Sequence, residues 1–205
     1  MPLILGTNSI KDTGYEVANS LRFDDDSTDY LTRTPSSAGN RKTWTFSTWI
    51  KRNNLGINQD IFGSHISLSG SGVLRFLFES NDTIGIQAYT TFNQKTVRVF
   101  RDTSAWYHIV LAVDTTQATD TNRIKLYING VQETSFTGTL ITQNLDTAIN
   151  NSQIHTIGRY RLTTNNYLDC YMAETVLIDG QQLDATSFGE FDRDWETCFL
   201  NSIYI

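Results

Sequence analysis

The feature that most constrains the fold is a pair of apolar runs that ends in an Asn-Gly turn. Residues 106–114 and 123–128 form the two runs, and Asn129 and Gly130 follow them directly. Both runs are dense in β-branched and aromatic residues, which fit a pleated and half-buried surface. The Asn-Gly pair tolerates the positive φ angles of a type I′ turn and is the strongest short hairpin signal. We therefore predict a buried strand, a polar loop, a second strand and a tight turn.

Strand signals recur along the rest of the chain. In residues 43–52, Trp44, Phe46, Thr48 and Ile50 share one face of a predicted strand. Trp49 falls on the opposite face, which indicates that this face is covered too or lies near a rim. Further strands are predicted at residues 20–23, 30–33, 61–68, 73–79, 84–89, 96–100, 154–160 and 167–178. Regularly spaced short strands with turn residues between them are typical of a sandwich or barrel.

The remaining segments carry weaker signals. Residues 183–188 can form one helical turn, with Asp184 as its cap. Two stretches rich in Thr, Asn, Gln and Asp, residues 118–122 and 142–153, are predicted to be solvated connections. We assign five aromatic residues to the core: Trp44, Phe46, Phe76, Phe78 and Trp106.

Size and composition narrow the class of protein. The chain has 205 residues with a hydrophobic fraction of 39%, which suits one all-β domain with a real core. Its formal net charge of -6 and its short basic clusters disfavour a nucleic-acid partner. No stretch approaches the roughly 20 apolar residues of a membrane span. Of the two cysteines, Cys170 is predicted to be a small buried hydrophobe, and a bridge to Cys198 is left open.

Four segments together resemble the laminin-G-like, concanavalin A-like jelly-roll superfamily. They are residues 20–23 with 30–31, residues 43–51, residues 106–130, and residues 157–158 with 171–180. The resemblance implies an all-β concanavalin A-like (laminin-G-like) jelly-roll β-sandwich over residues 20–182. An N-terminal arm at residues 1–19 would precede the sandwich, and a C-terminal segment at residues 183–205 would follow it.

Residues 1–9 and 188–192 are similar to laminin-G-like proteins of tailed bacteriophages. This similarity implies a location in the virion, as a tail fibre, spike or capsid-decoration protein, with other virion proteins as partners. We expect a non-enzymatic structural or adhesion protein that contacts host-surface glycans. The alternatives are a free carbohydrate-binding lectin domain and a glycan hydrolase. The apolar start of the chain, residues 1–10, either folds onto its own domain or adds to a neighbouring subunit, which suggests a homo-oligomer such as a trimer.

A hydrolase would need a carboxylate motif on a central strand. The bulged form of the superfamily's Glu-x-Asp-x-x-Glu signature fits residues 190–196, but these residues follow the last recognisable strand of the family. A polar C-terminal segment is the simpler interpretation. The three histidines, His65, His108 and His155, show neither a nucleophile constellation nor metal-ligand spacing. We therefore predict that the protein is not an enzyme.

Two sets of residues are candidates for binding. The first is the acidic loop of Asp24, Asp25, Asp26 and Asp29, because laminin-G-like domains often bind calcium at a rim and calcium prefers several oxygen ligands. The alternative is a solvated acidic loop, and no other cofactor is expected. The second set consists of aromatic rings on which a sugar could stack, with core packing as the alternative for each ring. These rings are Trp49, Tyr89, Phe92, Tyr160 and Tyr167.

Overall fold

Two antiparallel sheets carry almost all of the regular structure in the computed structural model, which describes residues 19–65, 72–88, 91–162, 166–191 and 197–199. The first sheet has six strands, in the spatial order β1 (Leu21–Phe23), β13 (Cys170–Asp179), β3 (Thr43–Arg52), β8 (Tyr107–Asp114), β9 (Ile124–Ile128) and β10 (Val131–Glu133). The second has seven, in the order β11 (Phe136–Thr139), β7 (Phe92–Val99), β6 (Thr83–Ala88), β5 (Val73–Phe78), β4 (Gln59–His65), β12 (His155–Ile157) and β2 (Leu31–Arg33). A small hairpin of β14 (Gly189–Phe191) and β15 (Thr197–Phe199) follows. The predicted all-β concanavalin A-like jelly-roll sandwich is confirmed.

The core lies between the inner faces of the two sheets. Phe46 on β3 stacks on Phe62 of β4 with ring centroids 4.6 Å apart, and Phe76 meets Phe46 edge-on. Of the five aromatic residues assigned to the core, Trp44, Phe46, Phe76 and Phe78 are fully buried. The assignment of Trp106 is wrong, because its side chain is 37% exposed. It precedes the first paired residue of β8, so the sheet does not hold it inward.

The Asn-Gly turn is confirmed. Asn129 and Gly130 have φ angles of 49° and 78°, and the flanking residues Ile128 and Val131 face each other across β9 and β10. The Asn129 side chain accepts a hydrogen bond from the backbone N–H of His108, at 2.8 Å. The turn is therefore also tied to the neighbouring strand β8.

One end of the sandwich differs from the prediction of a solvated connection over residues 142–153. Residues 147–151 are buried. Thr147 accepts a hydrogen bond from the Trp44 indole N–H at 3.0 Å, and its hydroxyl donates to the backbone carbonyl of Arg41. Thr147 can be buried here because the Arg41 backbone and the Trp44 indole satisfy the hydrogen bonds of its hydroxyl.

The outer face of the six-stranded sheet is covered, as the position of Trp49 indicates. Leu183 donates its backbone N–H to the Thr45 hydroxyl at 2.9 Å, and Phe188 lies edge-on to His108. The predicted helical turn is present at Ala185–Ser187, and the Asp184 carboxylate accepts the backbone N–H of Thr186. The segment after residue 180 therefore packs back on the sandwich.

Two further expectations concern cysteine and membrane association. Cys170 is a free, fully buried thiol, so the bridge to Cys198 that the sequence left open is not formed. Burial, followed by the nearby Asp169, raises the pKa of this thiol well above its usual value.

Among the described residues, no helix has the length and apolarity of a membrane span. Residues 1–18 of the predicted arm lie outside the described part of the chain.

Candidate functional site

The acidic loop crosses from one sheet to the other. It leaves the edge strand β1 at Phe23 and enters β2, the edge strand of the other sheet, at Leu31. The backbone N–H of Asp29 donates to the carbonyl of Asp24 at 3.2 Å, which folds the loop back on itself. This turn brings carboxylate oxygens of Asp24, Asp25 and Asp26 within 4.8 Å of one another. Asp29 does not belong to this group in the described part of the chain.

The carboxylate oxygens of the loop supply only some of the ligands that a hard cation requires. Calcium takes about six to eight oxygen ligands, and clustered carboxylates supply both oxygen and charge. Two of the three carboxylates already have partners. Asp24 lies 3.5 Å from an Arg22 guanidinium nitrogen, and Asp25 accepts a long hydrogen bond of 3.4 Å from the Asn54 amide. Calcium binding by this loop therefore stays a prediction.

The ring of Tyr160 is enclosed by its neighbours. The guanidinium carbon of Arg75 lies 4.1 Å from the centre of the ring, and His65 meets the ring at 75° with centroids 4.8 Å apart. Only 6% of Tyr160 is exposed. In this conformation the ring serves as packing between two charged or polar neighbours and offers little surface to a sugar.

The other predicted rings fall into different surroundings. Trp49 stacks on His108 with centroids 4.8 Å apart, and 7% of Trp49 is exposed. Phe92 belongs to the hydrophobic core, so its place among the exposed rings is wrong. Tyr89 lies outside the described residues.

Tyr167 takes part in a partly exposed cluster that we call the tyrosine rim, formed by Tyr30, Arg159 and Tyr167. The rings of Tyr30 and Tyr167 lie 6.5 Å apart, and the Arg159 guanidinium carbon is 3.9 Å from the centre of the Tyr30 ring. Tyr30 is 42% exposed. Because Tyr30 directly follows the acidic loop, the fold brings two separate sequence candidates, the loop and Tyr167, to the same edge.

A close backbone approach holds the rim in place. Gly158 has a φ of 90°, and a Cβ atom there would lie 2.8 Å from the Phe23 ring. The carbonyl of Gly158 accepts the backbone N–H of Leu168 at 2.9 Å, which closes the loop that carries Arg159, Tyr160 and Tyr167. Glycine is required here because a side chain would collide with Phe23 and would strain the backbone.

Ion pairs cross the outer face of the seven-stranded sheet beside this loop. Asp60 receives two hydrogen bonds from Arg75. Glu79 accepts from Lys95 at 3.0 Å and from Gln87 at 2.8 Å. Arg75 on the adjacent strand β5 thus neutralises Asp60 of β4, and Lys95 on β7, two strands away, neutralises Glu79, which follows β5.

Two features bear on the hydrolase alternative, namely the carboxylate motif at residues 190–196 and the pair of His108 and Ser47. Glu190 lies in β14, and residues 192–196 of the carboxylate motif lie outside the described residues. His108 Nε2 is 3.0 Å from the Ser47 hydroxyl, but both side chains are buried beneath Trp49 and Phe188. Burial lowers the pKa of His108 to about 4. This pair is a packed hydrogen bond that solvent hardly reaches.

Two residues of the tyrosine rim escaped the sequence analysis. The sequence predicts Tyr30 only as part of a short strand, and Arg159 belongs to no binding motif. The sequence predicts a strand over residues 154–160, which contains Arg159, and its only signal for this residue is the position next to Tyr160. Their contact depends on the pairing of β2 with β12, in which Leu31 faces Ile157.

A comparison with known protein families identifies the superfamily of this chain. The family described as the concanavalin A-like lectin/glucanases superfamily matches residues 25–183. No curated protein matches the chain.

Solved structures share the fold at low sequence identity. Domain 4 of AbnA, a GH43 extracellular arabinanase from Geobacillus stearothermophilus solved with arabinotriose, is 16% identical with a TM-score of 0.51, over 72% of this chain and 65% of that one. A SAP-like pentraxin from Limulus polyphemus is 15% identical with a TM-score of 0.50, over 72% and 68%. A Trypanosoma rangeli sialidase with sialic acid is 15% identical with a TM-score of 0.51, over 83% and 28%. For other sialidase chains, this chain spans about a fifth of their length.

Proposed function

The chain belongs to the concanavalin A-like lectin/glucanase superfamily, and on that premise we propose that it is a non-enzymatic adhesion module that binds glycans through the tyrosine rim. The observation that carries this proposal is the pair of partly exposed rings of Tyr30 and Tyr167, 6.5 Å apart. Aromatic rings with one apolar face and one polar end suit ligands that are themselves part apolar and part polar, such as sugars.

The surroundings of the two rings support the same function. Arg159 supplies hydrogen-bond donors beside Tyr30, and the acidic loop, which ends directly before Tyr30 in the chain, supplies oxygen atoms. A binding site commonly combines apolar surface with a few convergent polar groups. Two proteins with a similar fold were solved with sugars, the arabinanase domain with arabinotriose and the sialidase with sialic acid.

We further propose that the module serves in a bacteriophage particle, as a tail fibre, spike or capsid-decoration protein that reaches host-surface glycans. This part rests on the resemblance of residues 1–9 and 188–192 to laminin-G-like phage proteins. Homo-oligomerisation, for example as a trimer, would raise the avidity of a weak sugar site. Mass spectrometry of purified particles tests this part, because a virion component is recovered at a fixed copy number and a free lectin is not.

A glycan array tests sugar binding directly. The native protein is expected to bind a defined subset of glycans, and Tyr167→Ala is expected to weaken that binding at least tenfold by calorimetry. The matched control is Trp106→Ala, which removes another partly exposed aromatic ring outside the tyrosine rim. It should leave the affinity unchanged.

The outcomes separate the candidate functions. An array without any bound glycan would refute the sugar-binding function. Binding that survives both Tyr30→Ala and Tyr167→Ala would refute the tyrosine rim as its site. Turnover of a bound glycan would instead favour the hydrolase alternative, and Glu190→Gln would then test whether the carboxylate motif at residues 190–196 is responsible.

A further inference from the structure

Two arginines without a carboxylate partner flank Tyr160. In the described part of the chain, four arginines lie within ion-pair distance of an aspartate, namely Arg22, Arg52, Arg75 and Arg101, whereas Arg33, Arg41, Arg98 and Arg123 do not. Arg159 and Arg161 form no such pair there. Arg161 uses one nitrogen to donate to the backbone carbonyl of His65, at 3.0 Å. Their positive charges are therefore not neutralised by side chains that the structure describes.

Arg159 is held in an orientation that suits an anion. Its guanidinium carbon lies 3.9 Å from the centre of the Tyr30 ring. Stacking of this kind covers one face of the guanidinium group and leaves the N–H groups at its edge uncovered. The Nε atom of Arg159 is buried and has no hydrogen-bond acceptor among the described residues. A ligand cannot reach this buried Nε atom, so an incoming acceptor would meet the terminal nitrogens of the guanidinium, which can form charge-assisted hydrogen bonds.

The neighbouring His65 lies close to these arginines, because its backbone carbonyl accepts a hydrogen bond from Arg161. His65 is fully buried, and neither of its ring nitrogens has a hydrogen-bond partner in the described part of the chain. Burial first, and then the charges of Arg75, Arg161, His155 and Arg159, lower its pKa to about 3.

We propose that the tyrosine rim recognises an acidic glycan, whose carboxylate or sulfate group is held by Arg159 and Arg161 while a sugar ring packs on Tyr30 and Tyr167. The inference rests on the proposed sugar-binding function and names its ligand class. Guanidinium groups pair with planar carboxylates through two parallel hydrogen bonds, which adds specificity as well as affinity.

The local charges favour an acidic glycan over a nucleic acid. A nucleic acid carries a continuous row of phosphates and is bound by extended basic surfaces. Here Arg159 stacks on Tyr30, which directly follows the acidic loop of Asp24, Asp25, Asp26 and Asp29 in the chain. A ligand with widely spaced acidic groups can reach the arginines and avoid the loop, whereas a dense polyanion is repelled by it.

An array that carries neutral, uronate-containing, sialylated and sulfated glycans tests this ligand class. We expect the bound glycans to be mostly acidic ones. For the strongest acidic ligand, Arg159→Gln is expected to reduce the affinity about tenfold, the loss of one charge-assisted contact. Arg161→Gln should also weaken binding, and raising the salt concentration should weaken the native protein more than the double variant.

Arg98→Gln is the matched control. Arg98 is exposed, lies over the ring of Phe100 with its guanidinium carbon 5.2 Å from the ring centre, and belongs to β7 near the other edge of the sheet. The control removes the same charge from a similar stacked position and should leave the affinity unchanged.

The outcomes distinguish this inference from the function on which it rests. Binding of neutral glycans alone, weakened by Tyr167→Ala, would overturn the acidic ligand and keep the sugar-binding function. Acidic binding that both arginine variants retain would overturn the assigned residues. Equal affinity for double-stranded DNA would replace the glycan with a general polyanion. An array with no bound glycan would overturn the proposed function itself.

Discussion

Acidification from pH 7 to pH 5 is expected to destabilise the fold through its buried histidines. Burial lowers the pKa of His155 too, but the pKa values of His65 and His108 are lowered most. His65 on β4 is 0% exposed, and His108 on β8 is 5% exposed. Burial is the main cause that lowers their pKa values, to about 3 for His65 and to about 4 for His108, from an ordinary value of 6.5. Between the ordinary and the lowered values, the unfolded chain binds protons that the folded chain does not bind. Stability is therefore complete above pH 6.5 and falls as the pH decreases.

The magnitude follows from the width of this window. One pKa unit corresponds to about 1.4 kcal/mol, and the interval from 6.5 to pH 5 is about 1.5 units. Each histidine should therefore remove about 2 kcal/mol from the free energy of unfolding at pH 5. The two residues lie in different sheets, so their effects should add to about 4 kcal/mol.

Urea unfolding at the two pH values measures this difference. His65→Gln and His108→Gln should each reduce the difference between pH 7 and pH 5 by about 2 kcal/mol, whatever they do to the stability at pH 7. Trp106→Phe, which changes a partly exposed ring, should retain the full difference. The reasoning is refuted if the native chain loses less than about 1 kcal/mol, or if both histidine variants retain the native pH dependence.

Two further predictions concern the end of the sandwich and the acidic loop. Thr147→Val leaves the buried Trp44 indole N–H without its acceptor and should cost about 2 kcal/mol, or roughly 4–8 °C in Tm by calorimetry. Thr147→Ser keeps the hydroxyl and should cost less, so equal losses would contradict the hydrogen-bond argument. Millimolar calcium should raise the Tm of the native chain but not of Asp26→Asn, because the clustered carboxylates bind the ion. An unchanged Tm after calcium addition and after chelation would exclude this site.

The sequence predicted most of the strands because their signals are local. The alternation of Trp44, Phe46 and Ile50 with outward-facing residues needs only the two-residue period of a strand. The turn at Asn129 depends on a backbone preference of two adjacent residues, and the cap at Asp184 depends on a side chain two residues before its donor. Such short-range signals are present in any fold that forms the same strand, turn or cap.

The surroundings of the candidate site were harder to predict, because its contacts join distant parts of the chain. Tyr160 was offered as a sugar-stacking ring, yet Arg75 and His65 enclose it from strands that lie more than eighty residues earlier. The burial of Thr147 likewise depends on Trp44, which is 103 residues away. No local pattern contains such information.

By itself, the sequence determined the fold class, the inner face of its long strands and its tightest turn, because side-chain alternation and backbone preference act within a few residues. Only the tertiary structure decided which aromatic rings remain exposed. An outward-facing ring is open or covered according to which loop packs on it, and loop packing follows from long-range strand pairing such as that of β2 with β12. That pairing brought Tyr30, Arg159 and Tyr167 together at one edge, whereas Arg75 on β5 and His65 on β4 enclose Tyr160.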